Sequence, residues 1–441
     1  MKTLLFLTDR FPFGKGEAFI ENEIEYIADA FDKVYILPVG LTVNVKEQRS
    51  LPVNVTVLPP ANTKDLYENG RPSKIERLVW SLKYMTKWSI KALFSKEFKE
   101  EVKTLKERDM LKWDTFKAII RTTAPVIRNE SHFKKKIKRT GLSLDDEIYI
   151  YSYWINGLLL KMDDILETVI PGNKSVGMFA RAHRHDLYDE TRDVNYIPLK
   201  DRVIDRIDRL YLISKDGLEY ISENNEKNKH KYRLSYLGTK DYLEGKEKEC
   251  SKVLGQNDAC LNMVSCSFVV PVKRVERIIE ALSLVDGVSI KWTHFGGGQD
   301  LDKMKEYGNK LLSPKENVQY DFAGYVKNVD LMEYYKSNKV DLFVNVSEHE
   351  GLPVSIMEAM SFGIPIIATD VGSTRETIVE GENGYLLDAY FDNKMLATLI
   401  EEYGKKPDEI KEVFRLASRR MWEERFSASI NYKAFVEDIL G

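Results

Sequence analysis

Cysteine is scarce in this chain. Cys250, Cys260 and Cys266 are the only three among 441 residues, an odd set whose spacing suits neither a disulfide framework nor a zinc site and fits a reducing cytoplasm. Long apolar runs are missing too. The most apolar later stretch, Ile148 to Leu160, is broken by Ser152 and Asn156 and falls short of the roughly 20 residues that a membrane-spanning helix requires. At the N-terminus only the four apolar residues Leu4 to Leu7 precede Asp9 and Arg10, too few for the core of a signal peptide and suited to a first buried strand. A soluble chain is expected. Neither sign of charge prevails: 66 basic and 69 acidic residues leave a formal net charge of -3, which argues against a nucleic-acid partner, since such binders show a strong basic excess. Short-period repeats and low-complexity tracts are also lacking.

What is present is length and an alternating strand and helix rhythm. A chain of 441 residues and 51.1 kDa is too long for one ordinary core, so two domains are expected, with a third open. Leu4 to Thr8 reads as a strand, Phe13-Gly14-Lys15-Gly16-Glu17 as a glycine loop, and Ile20, Ile24, Ile27 and Phe31 as the buried face of a helix. Val34 to Val39 is a second apolar strand, which opens a doubly wound parallel α/β unit. Glu147 to Tyr153, Ser175 to Phe179 and Arg209 to Ile213 read as further strands, and Asn224 to Lys231 as a loop. Tyr236-Leu237-Gly238 and the charged run Lys240 to Lys252 place a linker. The expected domains are 1–238, a second α/β series over 239–416, and a helical tail over 417–441 that packs back toward the first domain.

Residues 74–139 hold 19 Lys and Arg against 8 Asp and Glu. Ser73-Lys74-Ile75-Glu76 has capping-box spacing, and Trp80, Tyr84 and Trp88 interleave with aliphatic residues behind it. This predicts a basic, aromatic-rich helical insertion, either packed on the first domain or docking on an anionic membrane or a lipid-linked molecule.

The densest chemistry lies between Asp341 and Thr369, where two apolar strands flank a short helix preceded by Gly351, Leu352 and Pro353. Glu350 stands before the helix and Glu358 within it. A helix N-terminus offers unpaired N–H groups and about half a positive charge to a phosphate, while carboxylates accept from sugar hydroxyls. A site that takes both suits a nucleotide sugar. Gly351 lets backbone approach a ligand closely, and Pro353 suits the first helical position, where no N–H is needed.

On these residues the chain resembles the retaining glycosyltransferases of family 4, which have the GT-B fold: two Rossmann-like domains facing across a cleft, the donor mostly on the second and the acceptor mostly on the first. The Glu-x7-Glu unit carries the resemblance. It implies that Glu350 lies against the transferred sugar, that Glu358 holds the ribose hydroxyls, and that Gly351, Leu352, Pro353 and Val354 approach sugar and phosphate. In Val269-Val270-Pro271-Val272-Lys273-Arg274, Lys273 matches the family lysine for the diphosphate. Phe268 stands where the family has an arginine, leaving Arg274 as the candidate second cation.

Arg181-Ala182-His183-Arg184-His185-Asp186 is similar to the family's His-containing loop after an apolar strand, which makes His183 the residue expected near the reacting sugar, with His185 second. Gly14 and Gly16 are implied to face donor phosphate, and Tyr325 to line the base pocket. Gly296-Gly297-Gly298 and Gly372-Ser373-Thr374-Arg375-Glu376 occur where the family has glycine turns. The resemblance implies transfer from a nucleotide sugar to a glycan or lipid-linked acceptor with retained configuration, without a metal or other cofactor, in cell-surface polysaccharide synthesis at the cytoplasmic face of a membrane. A non-catalytic subunit of the same fold and a nucleotide-sugar epimerase are the alternatives.

Overall fold

The computed structural model describes residues 1–14, 16–40, 42–43, 48–61, 63–64, 87–243 and 260–441. They form two compact units, Met1–Ser235 with Tyr432–Gly441, and Tyr236–Asn431. Ser73 to Glu76, Trp80, Tyr84, Lys15 and most of the expected linker lie outside the described residues.

The strands of the first unit are β1 (Lys2–Thr8), β2 (Lys33–Pro38), β3 (Thr42–Val43), β4 (Val55–Val57), β5 (Thr63–Lys64), β6 (Glu147–Ser152), β7 (Gly177–Ala182), β8 (Arg209–Leu212) and β9 (Tyr232–Leu234). Seven of them form a sheet in the order β4-β2-β1-β6-β7-β8-β9, and β3 and β5 pair apart from it. Every pairing is parallel. Leu4 to Leu7 and Ile148 to Tyr151 are buried without alternation, because helices cover both faces of a parallel sheet. The expected helix after the glycine loop is split, into a 3₁₀ turn over Ala18–Asn22 and an α-helix over Ile24–Ala30, with Ile20, Ile24, Ile27 and Phe31 all buried. The basic region supplies the helices Lys96–Glu107 and Trp113–Ile137.

In the second unit β10 (Cys260–Cys266), β11 (Ser289–Phe295), β12 (Val318–Gly324), β13 (Leu342–Asn345), β14 (Ile366–Thr369) and β15 (Gly384–Leu387) line up as β12-β11-β10-β13-β14-β15, again all parallel. Its core gathers Leu261, Met263, Ile290, Trp292, Leu342, Val344 and Ile367.

Four expectations need correction. The strand expected at Ser175 to Phe179 runs to Ala182, so Arg181 lies inside β7 and is wholly buried. Asn224 to Lys231 contains a 3₁₀ helix, Glu226–Lys231, rather than a loop. A tail starting at 417 does not exist as an element, since the helix Asp408–Arg425 passes through that point. Only Tyr432–Gly441 joins the first unit, so the border expected at 238 falls at Ser235. Amphipathic periodicity continues smoothly across 417, which is why composition misplaces the break.

Candidate functional site

In a doubly wound sheet, ligands favour the carboxyl ends of strands where the strand order reverses, because the adjoining loops diverge there and leave a crevice. The second unit reverses between β10 and β13. The loop after β10 holds Lys273 and the loop after β13 holds Glu350, and the two side chains meet: Lys273 Nζ lies 2.5 Å from Glu350 Oε1. Asn345, the last residue of β13, donates to the same Glu350 oxygen at 3.3 Å and accepts from the Ser347 N–H at 3.0 Å. The Glu348 N–H, bonded to the Val272 carbonyl at 2.8 Å, ties the two loops together.

The helix Val354–Ser361 follows. Pro353 is the residue just before it rather than its first helical residue, and no side chain caps it. The N–H groups of Val354 and Ser355 thus have no intrahelical acceptor, while those of Ile356 and Met357 bond the Pro353 carbonyl at 3.0 and 3.3 Å. Leu352 and Pro353 are buried, while Gly351 and Val354 are half-buried. Glu358, one turn further in, accepts from Asn328 Nδ2 at 2.6 Å. Burial raises its carboxyl to about 7, against which the Asn328 bond pulls only partly. Cys266, at the end of β10, has its thiol pushed up to about 12 by burial and then by the charge of Glu358.

Arg274 has another task than the one expected. Its backbone is left-handed, and its guanidinium donates to the carbonyls of Val346 at 2.8 Å, Ala389 at 2.8 Å and Ser347 at 3.0 Å. It braces the loop after β13, which leaves Lys273 as the cation beside Glu350. Phe268 is 60% exposed and supplies no charge. Tyr325 follows β12 and is half exposed; a Cβ on Gly297 would lie 3.3 Å from its own Cβ. Among the described residues no three of His, Cys, Asp and Glu gather as metal ligands would.

The first unit reverses between β1 and β6. Here Glu17, left-handed at φ 56, turns its carboxylate back onto the end of β1 and accepts from the N–H groups of Asp9 at 3.0 Å and of Arg10 and Phe11 at 2.6 Å. The Trp154 indole N–H, just beyond β6, donates to the same carboxylate at 2.7 Å. Those strand-end donors are thus occupied by a carboxylate. Gly14 and Gly16 border open space, Gly14 with a positive φ of 68.

His183 directly follows β7 and is buried against Trp154 at 4.3 Å, Tyr153 at 4.8 Å and Phe19 at 6.1 Å. Neither ring nitrogen has a hydrogen-bond partner among the described residues. Burial first and Arg181 second hold its pKa well below the ordinary value, so the ring is neutral and keeps one donor and one acceptor. Asp186 accepts from the His183 N–H at 2.7 Å and the Ile155 N–H at 2.6 Å. His185 is exposed.

Glu17, Trp154, Asn345, Asn328 and Asp186 were given no role from the sequence. Asn345 had a legible signal, a polar residue ending an apolar strand. The others act through partners that only folding brings near.

Residues 246–421 match the model of the family described as "Glycosyl transferases group 1". Over 107 residues, 22% of this chain, the sequence is 36% identical to the O-antigen biosynthesis glycosyltransferase WbnH of Escherichia coli, and the chain spans 28% of that relative's length. Among solved structures, the lipopolysaccharide outer core galactosyltransferase WaaB in its apo form is similar over 99% of both chains, with a TM-score of 0.62 at 14% identity. Anabaena HepE in complex with UDP-glucose is similar over 100% of this chain and 99% of its own, with a TM-score of 0.60 at 14% identity. At such identity the likeness is one of fold, and that fold is GT-B, two Rossmann-like units each built on a parallel sheet.

Proposed function

We propose that the chain is a glycosyltransferase that moves a sugar from a nucleotide-sugar donor to a glycan or lipid-linked acceptor in cell-surface polysaccharide synthesis. The observation that carries this reading is the joining of Lys273, Glu350 and an uncapped helix N-terminus at the strand-order reversal of the second unit. A diphosphate leaving group gains negative charge as the glycosidic bond breaks, and a cation beside helix N–H groups stabilises that charge most where it develops. Glu358 accepts from ribose hydroxyls. Glu350 orients the transferred sugar on the second unit, and on the first the neutral His183 offers one donor and one acceptor to a sugar hydroxyl. The match to the group 1 glycosyl transferase family over residues 246–421 and the UDP-glucose complex of the similar HepE fold support a nucleotide sugar as donor.

Retention of anomeric configuration follows if a donor phosphate oxygen takes the acceptor proton on the leaving-group face, which requires no protein nucleophile. Lys273 and the helix dipole then do the work of a metal, and transfer persists in a chelator. A panel of UDP-, GDP- and ADP-sugars read by thermal shift identifies the donor, since a ligand of the native state raises its melting temperature. Product anomers resolved by NMR then test retention. A chain stabilised by none of these donors would sink the reading.

Placement at the inner face of an anionic membrane is also part of the proposal. Phe94 and Trp113 are 72% and 71% exposed, and Lys87 and Lys91 sit over the Trp88 ring, a mixture suited to a headgroup layer. No helix among the described residues is long and apolar enough to cross a membrane. Salt-sensitive binding to anionic vesicles is expected, and its absence at low ionic strength would remove this part.

A further inference from the structure

The first unit holds a cavity of about 450 Å³ walled by the helix Trp113–Ile137, by Ile155 and Gly157, and by the stretch from Asp186 to Val203. Four cations line it: Lys117, Arg121, Arg192 and Lys200. Two of them are engaged. Lys117 pairs with Asp114 at 2.6 Å, and the buried Lys200 ammonium donates to the Leu187 carbonyl at 2.8 Å and to Asp189 at 2.7 Å. Arg121 and Arg192 have no ion pair or hydrogen bond from their guanidinium groups among the described residues.

Among the described residues no acid of the cavity forms an ion pair with either arginine, although the charges of Arg121 and Arg192 reach Asp114 and Asp186. Asp114 is already paired with Lys117. Asp193 is exposed. Asp186 faces backbone N–H groups, and burial lifts its carboxyl to about 7, with Arg192 among the groups that pull it back. Two guanidinium groups, one from the helix Trp113–Ile137 and one from the stretch after Asp186, each with a planar fork of donors, suit an oxyanion brought from outside.

The position of the cavity gives it meaning. Ile155 follows Trp154, whose ring rests 4.3 Å from that of His183, and Asp186 anchors the His183 backbone. The cavity thus shares Ile155 and Asp186 with the loops that hold His183. We propose that this cavity binds a phosphate or carboxylate carried by the acceptor, with Arg121 and Arg192 as its cationic contacts. The acceptor is then an anionic molecule, an assignment that rests on the transferase reading above.

The test is calorimetric titration of inorganic phosphate, at low ionic strength, into the full chain carrying Lys273→Ala, which removes the donor-site cation. Saturable binding is expected, weakened about tenfold or more by Arg121→Gln or Arg192→Gln at unchanged melting temperature. Arg192→Lys, which keeps the charge and loses the fork, should fall between. Acetate titrated in parallel separates the two anion classes, the tighter binder naming the group. A phosphate isotherm insensitive to both arginines, or no binding, overturns the site. In the chain with Lys273 intact, Arg192→Gln should raise the acceptor KM about tenfold and leave the donor KM unchanged. The failures are distinguishable: transfer without arginine-dependent phosphate binding removes the anion site alone, whereas arginine-dependent binding in a chain that turns over no donor removes the transferase reading.

Discussion

Lys273 and Glu350 neutralise each other at 2.5 Å in the unliganded chain, and a bound diphosphate would draw the ammonium toward itself while Asn345 keeps hold of Glu350. Removing the lysine takes away the main stabiliser of the leaving group. Lys273→Ala is therefore expected to lower turnover by about a hundredfold, measured as product formed at saturating donor; unchanged turnover would contradict the role. Glu358 adds a pH dependence. With its carboxyl raised from 4.5 to about 7, it carries a proton below that range and accepts hydroxyl hydrogen bonds best above it. Donor affinity should rise as pH climbs through about 7, and Glu358→Gln should flatten the profile. Stability runs the other way: the folded chain binds this proton more tightly than the unfolded one, so stability declines as pH rises from about 4.5 to about 7.

At the scale of elements, the carboxyl ends of β10, β11 and β13 must come close enough for their loops to touch, and small residues make that approach feasible. Gly298 shows the constraint: a Cβ there would sit 2.3 Å from the Val269 carbonyl oxygen, a backbone atom that cannot swing aside. Gly298→Ala should destabilise the second unit by about 1–3 kcal/mol through overpacking, read as a lower urea midpoint at constant slope. The strand, loop and helix around Glu350 were legible because apolar runs, glycine and proline act locally. Arg274 was not legible. Its neighbour Lys273 has the same charge, and only the left-handed backbone at 274 turns one side chain onto carbonyls and leaves the other for Glu350.

At the scale of the whole molecule, Tyr432–Gly441 belong to the first unit. Phe435 packs at 5.0 Å from Tyr151 and 4.7 Å from Tyr211, and the Arg181 guanidinium lies 4.4 Å from its ring. Arg181 in turn reaches Glu23 at 3.3 Å, both wholly buried, and receives support from Tyr151 and the Ser235 carbonyl at 2.9 Å each. Phe435→Ala is expected to cost about 3–5 kcal/mol, because it opens a cavity against the Tyr151 and Tyr211 rings and the Arg181 guanidinium. Calorimetry should show the loss as a lower melting temperature, and a change within error would argue that the terminal segment is dispensable.

The amino-acid order alone determined most of the strands and helices and that two carboxylates and a helix start share one stretch of chain, because burial periodicity and backbone preference are settled within a few residues. Tertiary structure alone decided the rest: that β10 neighbours β13 and thereby sets Lys273 on Glu350, that Glu17 closes over the end of β1 with Trp154, and that the part of the tail joining the first unit begins only at Tyr432. Each of these joins residues from 77 to more than 200 positions apart or depends on strand order. No local pattern encodes such pairings, since they follow from which surfaces the folded core leaves adjacent.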